Sequence, residues 1–594
     1  MNDSKVLRGG EFLVKDVDFQ EVFIPEQFDE EQQMIAQTCN DFLEAEVFPI
    51  LDRIDKQEDG LMRELITKAG EFGLLGISIA EEYEGFGQNF VTSMLASEAM
   101  GAGHSFSVAY SAHTGIGSLP LAYYGNEEQK QRYLPKLATG EWAAAYCLTE
   151  PNAGSDANSG KSNAVLSEDG KHYILNGQKM WITNGGFADL LTVFAKIDND
   201  RVYSAFLVES GWEGVVINPE EKKMGIKGSS TVQLFFNDVK VPVENLLARR
   251  GQGFRIALNI LHMGRIKLGA AVLGSAKRTI TQSVNYANER KQFGTEISNF
   301  ASIKYKLAQQ AVRTWVTEAA VYRISENIDL VKEELIADGK TNEVAMIDAI
   351  AQYAVEDAAM KVFGSETLDF VVDEGVQIFG GMGFSAEMPV DRSYRDSRIN
   401  RIFEGTNEIN RLLISETLIK KGPKIGINFK EEYDRIAAEM NNGNPATFTG
   451  EGYFNEMKFY TGNYKKLALY VIGSFLEKIP KGFVNEQEIM SALSDILIGV
   501  YTTESAVLRT EKIENIKGAE YAADAKAMTE NYLYDTSFNM RKSAYDAVNS
   551  FLEGDELNTA LKIIDKLSVF KSVNIRKIHR FIADKIIDEN KYCF

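Results

Sequence analysis

Apolar positions recur every three or four residues, with charged positions between them, through the first quarter of the chain. FDEEQQMIAQTCNDFLEAEVFPIL and LMRELITKAGEFGLLGI show this spacing, which predicts amphipathic helices from about residue 25 to residue 141. From residue 143 to about 247 the pattern changes to short β-rich runs such as HYILNGQKMWITN, separated by Gly, Asn and Asp. A helical domain followed by a β domain is therefore predicted.

Helical spacing returns from residue 253 to about residue 421. KGPKIGINFK then has the Gly and Pro content of a linker, and the chain from residue 431 to residue 594 is helical again. The order of helices, strands, helices and an appended helical unit predicts an α+β chain. We place the domain boundaries at 1–142, 143–250, 251–421 and 422–594.

The appended unit contains a short echo of the third domain. Its positions repeat residues found 186 positions earlier: Thr317, Glu318, Ala320, Val321 and Arg323 correspond to Thr503, Glu504, Ala506, Val507 and Arg509. A degenerate duplication explains this match, and so do two unrelated amphipathic helices that share common residues by chance. One short match leaves both explanations open.

Composition narrows the class of protein. The chain has 594 residues, with 64 Lys and Arg against 85 Asp and Glu, so its net charge of −21 disfavours nucleic-acid binding. Three widely spaced cysteines and five histidines without a ligand motif predict neither disulfides nor a metal site. We find no run near the ~18 apolar residues of a membrane span and no leader pattern, which predicts a cytoplasmic protein.

Two segments of the β domain carry candidate chemistry. YCLTEPNAGSD, residues 146–156, runs from a strand into a loop of small and hydroxyl residues that can offer backbone N–H groups to a ligand. KMWITNGG, residues 179–186, ends a strand in an aromatic residue, a hydroxyl and a turn. Taken singly, the first is equally an ordinary strand-to-turn connection and the second an ordinary hairpin.

Three further segments lie in the third domain. ERKQFG, residues 289–294, places a guanidinium beside a glycine, as a pyrophosphate site requires, although it also fits an exposed helix end. QIFGGMGF, residues 377–384, permits close backbone approach to a ligand or caps a helix. RIFEGTNEI, residues 401–409, places Glu404 between an aromatic residue and a glycine, where it is either a desolvated base or a surface carboxylate.

These five segments, in this order, resemble the acyl-CoA dehydrogenase family, and the resemblance covers about residues 30–420. AHTGIGSLPLAYYGNEEQKQRYLPKLATGE, PEEKKMGIKGSST, MGR and RIFEGTNEINRLL are most similar to the very-long-chain branch, whose members carry an extra C-terminal helical domain. The resemblance implies an N-terminal helical domain, a middle β-barrel or sandwich, a C-terminal four-helix bundle and the appended domain.

The resemblance also implies a role for particular residues. Glu404 matches the catalytic base, while Arg265, Gly405 and Ser155 match positions near the CoA part and the thioester of the substrate. Positions that contact FAD in the family match Tyr146, Leu148, Thr149, Ser155, Trp181, Ile182, Thr183, Arg290, Gln292, Phe293, Gln377, Phe379, Gly380, Gly381, Thr406 and Glu408. Some branches place the base directly before the arginine that matches Arg265. Here that position is Gly264, which leaves Glu404 as the candidate base.

The implied reaction is FAD-dependent α,β-dehydrogenation of a medium- to long-chain acyl-CoA to a trans-2-enoyl-CoA in fatty-acid β-oxidation, with electron-transfer flavoprotein as the acceptor. An α-proton of an acyl-CoA is weakly acidic, so its removal needs a desolvated carboxylate and donors at the thioester carbonyl. A flavin oxidase or monooxygenase and a non-catalytic assembly or scaffold protein on the same fold are the alternatives. No metal is implied.

Further expectations concern the substrate pocket and the assembly. Gly115 and Gly117 lie in the helix expected to form the floor of the acyl cavity, which predicts a deep pocket unless the glycines serve helix packing. His262-Met263 replaces an Asn-Asn pair of related very-long-chain proteins, which alters the CoA contact. FAD contacts across a subunit interface imply a homodimer or a dimer of dimers. The basic run KSVNIRKIHR, residues 571–580, predicts at most weak membrane-surface contact.

Overall fold

A computed structural model of the chain describes residues 6–443 and 447–594. The predicted order of helical, β, helical and appended helical units is confirmed. Residues 1–5, the start of the segment in which we looked for a leader sequence, lie outside the described residues, as do residues 444–446 of the appended unit.

The first domain is helical, and three of its helices begin at capping side chains. Asp29, Asn89 and Asn126 accept hydrogen bonds from backbone N–H groups of the first turns that follow them. A π-helical segment, Ala112–Gly117, follows the fifth helix. The helices are α1 (Glu30–Phe42), α2 (Leu51–Asp55), α3 (Leu61–Glu71), α4 (Phe90–Gly101), α5 (Ser105–Ser111), α6 (Leu119–Tyr124) and α7 (Glu127–Ala138).

The middle domain is a mixed sheet. Its strands are β1 (Ala144–Cys147), β2 (Asn163–Leu166), β3 (His172–Thr183), β4 (Leu190–Ile197), β5 (Ser204–Glu209), β6 (Val215–Ile217), β7 (Thr231–Pro242) and β8 (Leu246–Leu247). They lie in the order β6-β7-β3-β2-β4-β5-β8, and β1 pairs with β4 in parallel. Because β3 pairs with β2 and β7 rather than with β4, interpreting residues 179–186 as a hairpin is wrong.

The third domain is built on three long helices. Its elements are α8 (Gly253–Glu289), a hairpin of β9 (Lys291–Gln292) and β10 (Thr295–Glu296), α9 (Ala301–Ala337), α10 (Asn342–Gln352), α11 (Ala354–Phe379), α12 (Pro389–Ser397) and α13 (Asn407–Lys421). Helix α8 packs against α4, α9 and α11. It is long and apolar enough to cross a membrane, but most of its apolar window is buried inside the protein.

The appended unit consists of α14 (Phe429–Asn441), α15 (Tyr453–Lys478), α16 (Gln487–Lys517), α17 (Ala522–Asn549), α18 (Gly554–Leu567) and α19 (Ile575–Glu589). Helix α16 packs on α9, the helix whose sequence it echoes. Arg323 of α9 pairs with Glu504 of α16 at 2.7 Å, and Arg509 of α16 pairs with Glu318 of α9 at 2.7 Å. Two copies of one helix related by a two-fold axis produce such reciprocal pairs, which favours the duplication.

Candidate active site

The loop that carries Glu404 has a strained backbone. It lies between a 3₁₀ turn, Arg398–Arg401, and α13, with φ of 58° at Glu404 and 81° at Gly405. A non-glycine residue in the left-handed region costs on the order of 1–3 kcal/mol, so surrounding contacts must hold it there. Thr406 caps α13 through its hydroxyl, which accepts a hydrogen bond from the Ile409 backbone N–H at 3.3 Å.

Three side chains hold the carbonyl groups of this loop. Arg265 Nε donates to the Glu404 carbonyl at 3.2 Å, and Lys361 Nζ donates to the Gly405 carbonyl at 2.8 Å. Asn410 Nδ2 donates to the same Gly405 carbonyl at 2.8 Å. Neither Lys361 nor Asn410 is among the predicted site residues. Lys361 is far from Glu404 in the chain and no motif marks it, whereas Asn410 lies in the segment RIFEGTNEINRLL, which could have indicated it.

The Glu404 carboxylate is positioned as a base. Its Oε2 atom is buried without a hydrogen-bond partner in the described part of the chain. Burial raises the pKa of Glu404 to about 7, while Arg265 and Lys361 act in the opposite direction. The facing residue is Gly264, where a Cβ atom would lie 2.7 Å from Oε2. Gly264 is at the one other position where the family places a base. Because it has no side chain, it makes room for Glu404.

The β-domain residues expected to contact the flavin lie on two segments that meet each other. The Met180 N–H donates to the Thr149 carbonyl at 2.9 Å, which joins the loop after β1 to the end of β3. Trp181 has a φ of 60° and is 52% exposed, a strained and unusually open position for an indole. Tyr146 is buried beside Glu404, which together with burial raises the pKa of the phenol.

The remaining residues of this group differ in burial. Leu148 and Ile182 are buried, Thr183 ends β3, Ser155 is exposed on the loop and Glu408 is exposed in the first turn of α13. Hydrogen bonds from the backbone and from Thr406 lower the pKa of Glu408. The structure therefore joins the two β-domain segments through Thr149 and Met180 and places Tyr146 of the first segment near Glu404.

The other expected FAD contacts lie elsewhere. Gln292 and Phe293 belong to the β9–β10 hairpin beyond the end of α8, and Phe293 is 94% exposed. Arg290 begins this hairpin segment, about 37 Å from Arg265 at the rise per residue of an α-helix. Within one chain, Arg290 is therefore far along α8 from Arg265 and from the Glu404 loop that Arg265 contacts.

The C-terminal end of α11 lies at the same end of α8. Phe379, at the end of α11, stacks on Tyr286 with ring centroids 4.1 Å apart, which brings Gln377, Gly380 and Gly381 beside the end of α8. Gly380 has a φ of 60°, and a Cβ atom at Gly380 or Gly381 would meet only open space. An exposed backbone with glycines at this point fits a phosphate or adenine group, as FAD requires.

The two glycines expected at the floor of the acyl cavity have different surroundings. A Cβ atom at Gly117 would lie 3.0 Å from Ala144 Cβ, so this glycine serves the packing of the π-helical segment on β1. Gly115 is buried, yet a Cβ atom there would meet nothing within 4 Å. His262, which replaces an asparagine of the related proteins, lies 3.3 Å from Arg265, and burial lowers its pKa to about 3, so its ring is neutral.

Comparison with known proteins agrees with this geometry. Models of the acyl-CoA dehydrogenase N-terminal, middle and C-terminal domains match residues 29–141, 145–239 and 251–419, and a further C-terminal domain model of the family matches residues 463–566. A probable acyl-CoA dehydrogenase of Bacillus subtilis is 44% identical over 99% of this chain and 98% of its own. The very long-chain specific acyl-CoA dehydrogenase of Macaca fascicularis is 36% identical over 84% of this chain and 77% of its own.

A solved structure extends this likeness to the whole fold. The crystal structure of an acyl-CoA dehydrogenase from Bacillus anthracis complexed with FAD has a TM-score of 0.94 and 43% identity, and the match covers 99% of this chain and 100% of that one. The expected fold class and cofactor are confirmed. The protein therefore belongs to the acyl-CoA dehydrogenase family and is a FAD-dependent oxidoreductase.

Proposed function

We propose that this enzyme converts medium- to long-chain acyl-CoA to trans-2-enoyl-CoA in fatty-acid β-oxidation and passes the electrons to electron-transfer flavoprotein. The observation that carries the proposal is the Glu404 carboxylate, which is desolvated and lacks a hydrogen-bond partner within the described residues. A carboxylate with a pKa near 7 is ionised often enough to accept a proton and basic enough to remove one from carbon.

Glu404 accepts the proton from Cα of the bound thioester, and the electron pair left at Cα forms the new double bond to Cβ. When bound, FAD supplies the acceptor for the hydrogen that leaves Cβ with its bonding pair. Negative charge that develops on the thioester oxygen needs a donor. The Glu404 backbone N–H makes no hydrogen bond within residues 6–443 and 447–594, so it is available for this role.

Other residues position this machinery. Arg265, Lys361 and Asn410 hold the loop carbonyls, so the carboxylate and the free N–H keep a constant relation to each other. The positive charges of Arg265 and Lys361 also stabilise the ionised form of Glu404, which limits the effect of burial on its pKa.

FAD binding is proposed to involve two copies of the chain. Tyr146, Leu148, Thr149, Ser155, Trp181, Ile182, Thr183, Thr406 and Glu408 would hold the flavin side from one subunit. Arg290, Gln292, Phe293, Gln377, Phe379, Gly380 and Gly381, at the far end of α8, would hold the pyrophosphate and adenine side from the other subunit. The separation of these two groups along α8 supports a homodimer, alone or within a dimer of dimers.

The proposed preference for longer chains rests on Gly115, the buried glycine of the π-helical segment with open space beside it. The name of the Macaca fascicularis relative points to the same chain-length class for that protein. We also propose a cytoplasmic location. Within the basic run 571–580, Lys571 is paired with Glu456 and Glu530, which leaves less positive charge for a membrane surface.

An anaerobic flavin titration tests the proposed function. Palmitoyl-CoA and butyryl-CoA are added separately to the FAD-loaded protein, and the visible absorbance of oxidised flavin is followed. We expect both to bleach the flavin, palmitoyl-CoA faster. A flavin that neither thioester bleaches contradicts the dehydrogenase reaction and favours a scaffold role. Rapid peroxide production when air is admitted identifies an oxidase instead.

A further inference from the structure

The appended unit contacts the helix that carries the catalytic loop. Helix α13 begins at Asn407, three residues after Glu404, so the position of this helix fixes one end of the loop. Helix α16 packs against α13. Asp495 Oδ1 of α16 accepts a hydrogen bond from Arg411 Nε at 2.7 Å, and the Ser494 hydroxyl donates to the Arg411 carbonyl. Two consecutive residues of the appended unit therefore bind one residue of α13.

A continuous series of hydrogen bonds leads from Arg411 to the catalytic loop. Its Nη1 and Nη2 atoms donate to the two carboxylate oxygens of Glu366 on α11, at 2.8 and 2.9 Å. Glu366 Oε1 also accepts from Asn407 Nδ2 at 3.0 Å. Asn407 Oδ1 accepts from Lys361 Nζ at 2.7 Å, and the same ammonium group donates to the Gly405 carbonyl at 2.8 Å. We call this series the α16 link, and its members are Asp495, Arg411, Glu366, Asn407 and Lys361.

The inner part of the α16 link has a fixed orientation. The Lys361 ammonium group can only donate hydrogen bonds and the Glu366 carboxylate can only accept them. The Asn407 amide between them must therefore present its oxygen to Lys361 and its nitrogen to Glu366. Asn407 is 2% exposed and Lys361 is fully buried, so water does not compete for these bonds. A rotated amide would break both bonds at once.

The outer part of the α16 link is more open. The Glu366 and Asp495 side chains are 38% and 41% exposed, and with Arg411 they line a cavity of about 340 Å³ between α9, α11, α13, α16 and α17. Solvent screens such ion pairs, so their net contribution to stability is small. They supply direction instead, because one planar guanidinium fixes three N–H groups on two carboxylates.

We propose that Asp495 is a positioning residue for the reaction, and that the appended unit holds the catalytic loop in its active geometry through the α16 link. This inference rests on the proposed function, because the loop is that of the proposed base. Glu404 has a positive φ, a conformation that persists only while surrounding contacts hold it. The Gly405 carbonyl, which Lys361 binds, belongs to the next residue. Arg265 and Asn410 also hold this loop, so loss of the link should loosen it without releasing it.

Single-turnover bleaching of the FAD-loaded protein by palmitoyl-CoA tests the proposal. Asp495→Ala removes the oxygen that accepts from Arg411 Nε. We expect the limiting rate of bleaching to fall by about fivefold or more, since a small misplacement of reacting groups can cost up to about 10²-fold. The palmitoyl-CoA concentration that gives half the limiting rate should not change. Asp495→Asn, which keeps an oxygen at the same place, should restore most of the rate.

The control is Asp535→Ala, which removes a carboxylate of α17 from the lining of the same cavity. Asp535 Oδ2 accepts a hydrogen bond from Gln309 of α9 at 2.8 Å, so its loss disturbs the appended unit at a different contact. This variant should bleach at the wild-type rate. A wild-type rate in Asp495→Ala, or an equal fall in both variants, overturns the proposal.

A double variant distinguishes action through the link from a general structural defect. If Asp495 acts through Lys361, then adding Asp495→Ala to Lys361→Met should lower the limiting rate no further. A fall equal to the product of the two single effects overturns the proposal. If Asp495→Ala does not retain FAD, Arg411→Lys takes its place in the same measurements. This variant keeps the charge but replaces the planar fork with one ammonium group, and the same results are expected of it.

Hydrogen exchange of the substrate-free, FAD-loaded protein separates this proposal from the proposed function. We expect Asp495→Ala to raise amide exchange in the peptide 402–412, and Asp535→Ala to leave it unchanged. If no thioester bleaches the wild-type flavin, the dehydrogenase function fails. Exchange then still tests the link, because faster exchange in Asp495→Ala alone supports it and unchanged exchange contradicts it.

Discussion

At the scale of single residues, the assignment of Glu404 as the base gives the most direct prediction. Glu404→Gln keeps the shape of the side chain but removes the proton acceptor, so we expect kcat to fall by about 10²–10⁴-fold, the usual contribution of a general base. FAD absorbance should be retained. Stopped-flow bleaching by palmitoyl-CoA measures the effect, and Glu416→Gln, in a surface pair with Lys420 on α13, is the matched control. Full turnover with full FAD in Glu404→Gln would disprove the assignment.

The pH dependence follows from the same carboxylate. Burial raises the pKa of Glu404 to about 7, and only the ionised form accepts a proton, so kcat/KM should rise with pH through about 7 and be lost below it. Lys361 lowers that pKa, and its Nζ also holds the Gly405 carbonyl.

Lys361→Met should therefore move the acidic limb of the profile upward by roughly one unit, the size of effect that a nearby charge has. A pH series of kcat/KM for both proteins measures the shift. An unmoved limb together with a lower kcat would mean that Lys361 acts through the loop geometry alone.

At the scale of elements, helical spacing predicted α8, α9 and a helical appended unit, because an amphipathic helix repeats its pattern every 3.6 residues. The same local information failed at residues 179–186, since an NGG turn does not specify which strand becomes the neighbour of β3. Pairing was decided by the whole sheet, in which β2 and β7 flank β3.

The contact between α9 and α16 gives a prediction on stability. Arg509 pairs with Glu318 at 2.7 Å and with Glu26 at 2.8 Å, and all three side chains are largely buried. Arg509→Met leaves two carboxylates without this partner, so the free energy of unfolding should fall by about 3–5 kcal/mol. Urea denaturation measures the change. Arg435→Met removes an exposed arginine of α14 and should cost less than about 1 kcal/mol; equal losses would contradict the proposed role of burial.

At the scale of the whole molecule, two exposed aromatic residues predict the assembly. Phe293 is 94% exposed and Phe384 is 90% exposed, and both lie near the residues expected to hold the far side of FAD. Large exposed aromatic residues are typical of protein interfaces. In light scattering, we expect the wild-type mass to be at least twice the 66.2 kDa of the chain.

Phe293→Asp should lower the mass toward one chain and reduce bound FAD together, because the partner would supply part of the cofactor site. Phe581→Asp, which alters an exposed aromatic residue of α19, is the control and should change neither quantity. A Phe293→Asp protein that keeps both its mass and its FAD would exclude this interface.

The sequence by itself determined the order of the units and, through the family resemblance, the candidate base, because periodicity and short motifs are local properties. It also reduced the two known positions of the base to one, since Gly264 has no side chain. Only the tertiary structure decided which residues surround that base. Lys361 and Asn410 hold its loop, and α16 packs against α9 and pairs with it. Lys361 is far from Glu404 in the chain, as α16 is from α9, so only packing brings each pair together.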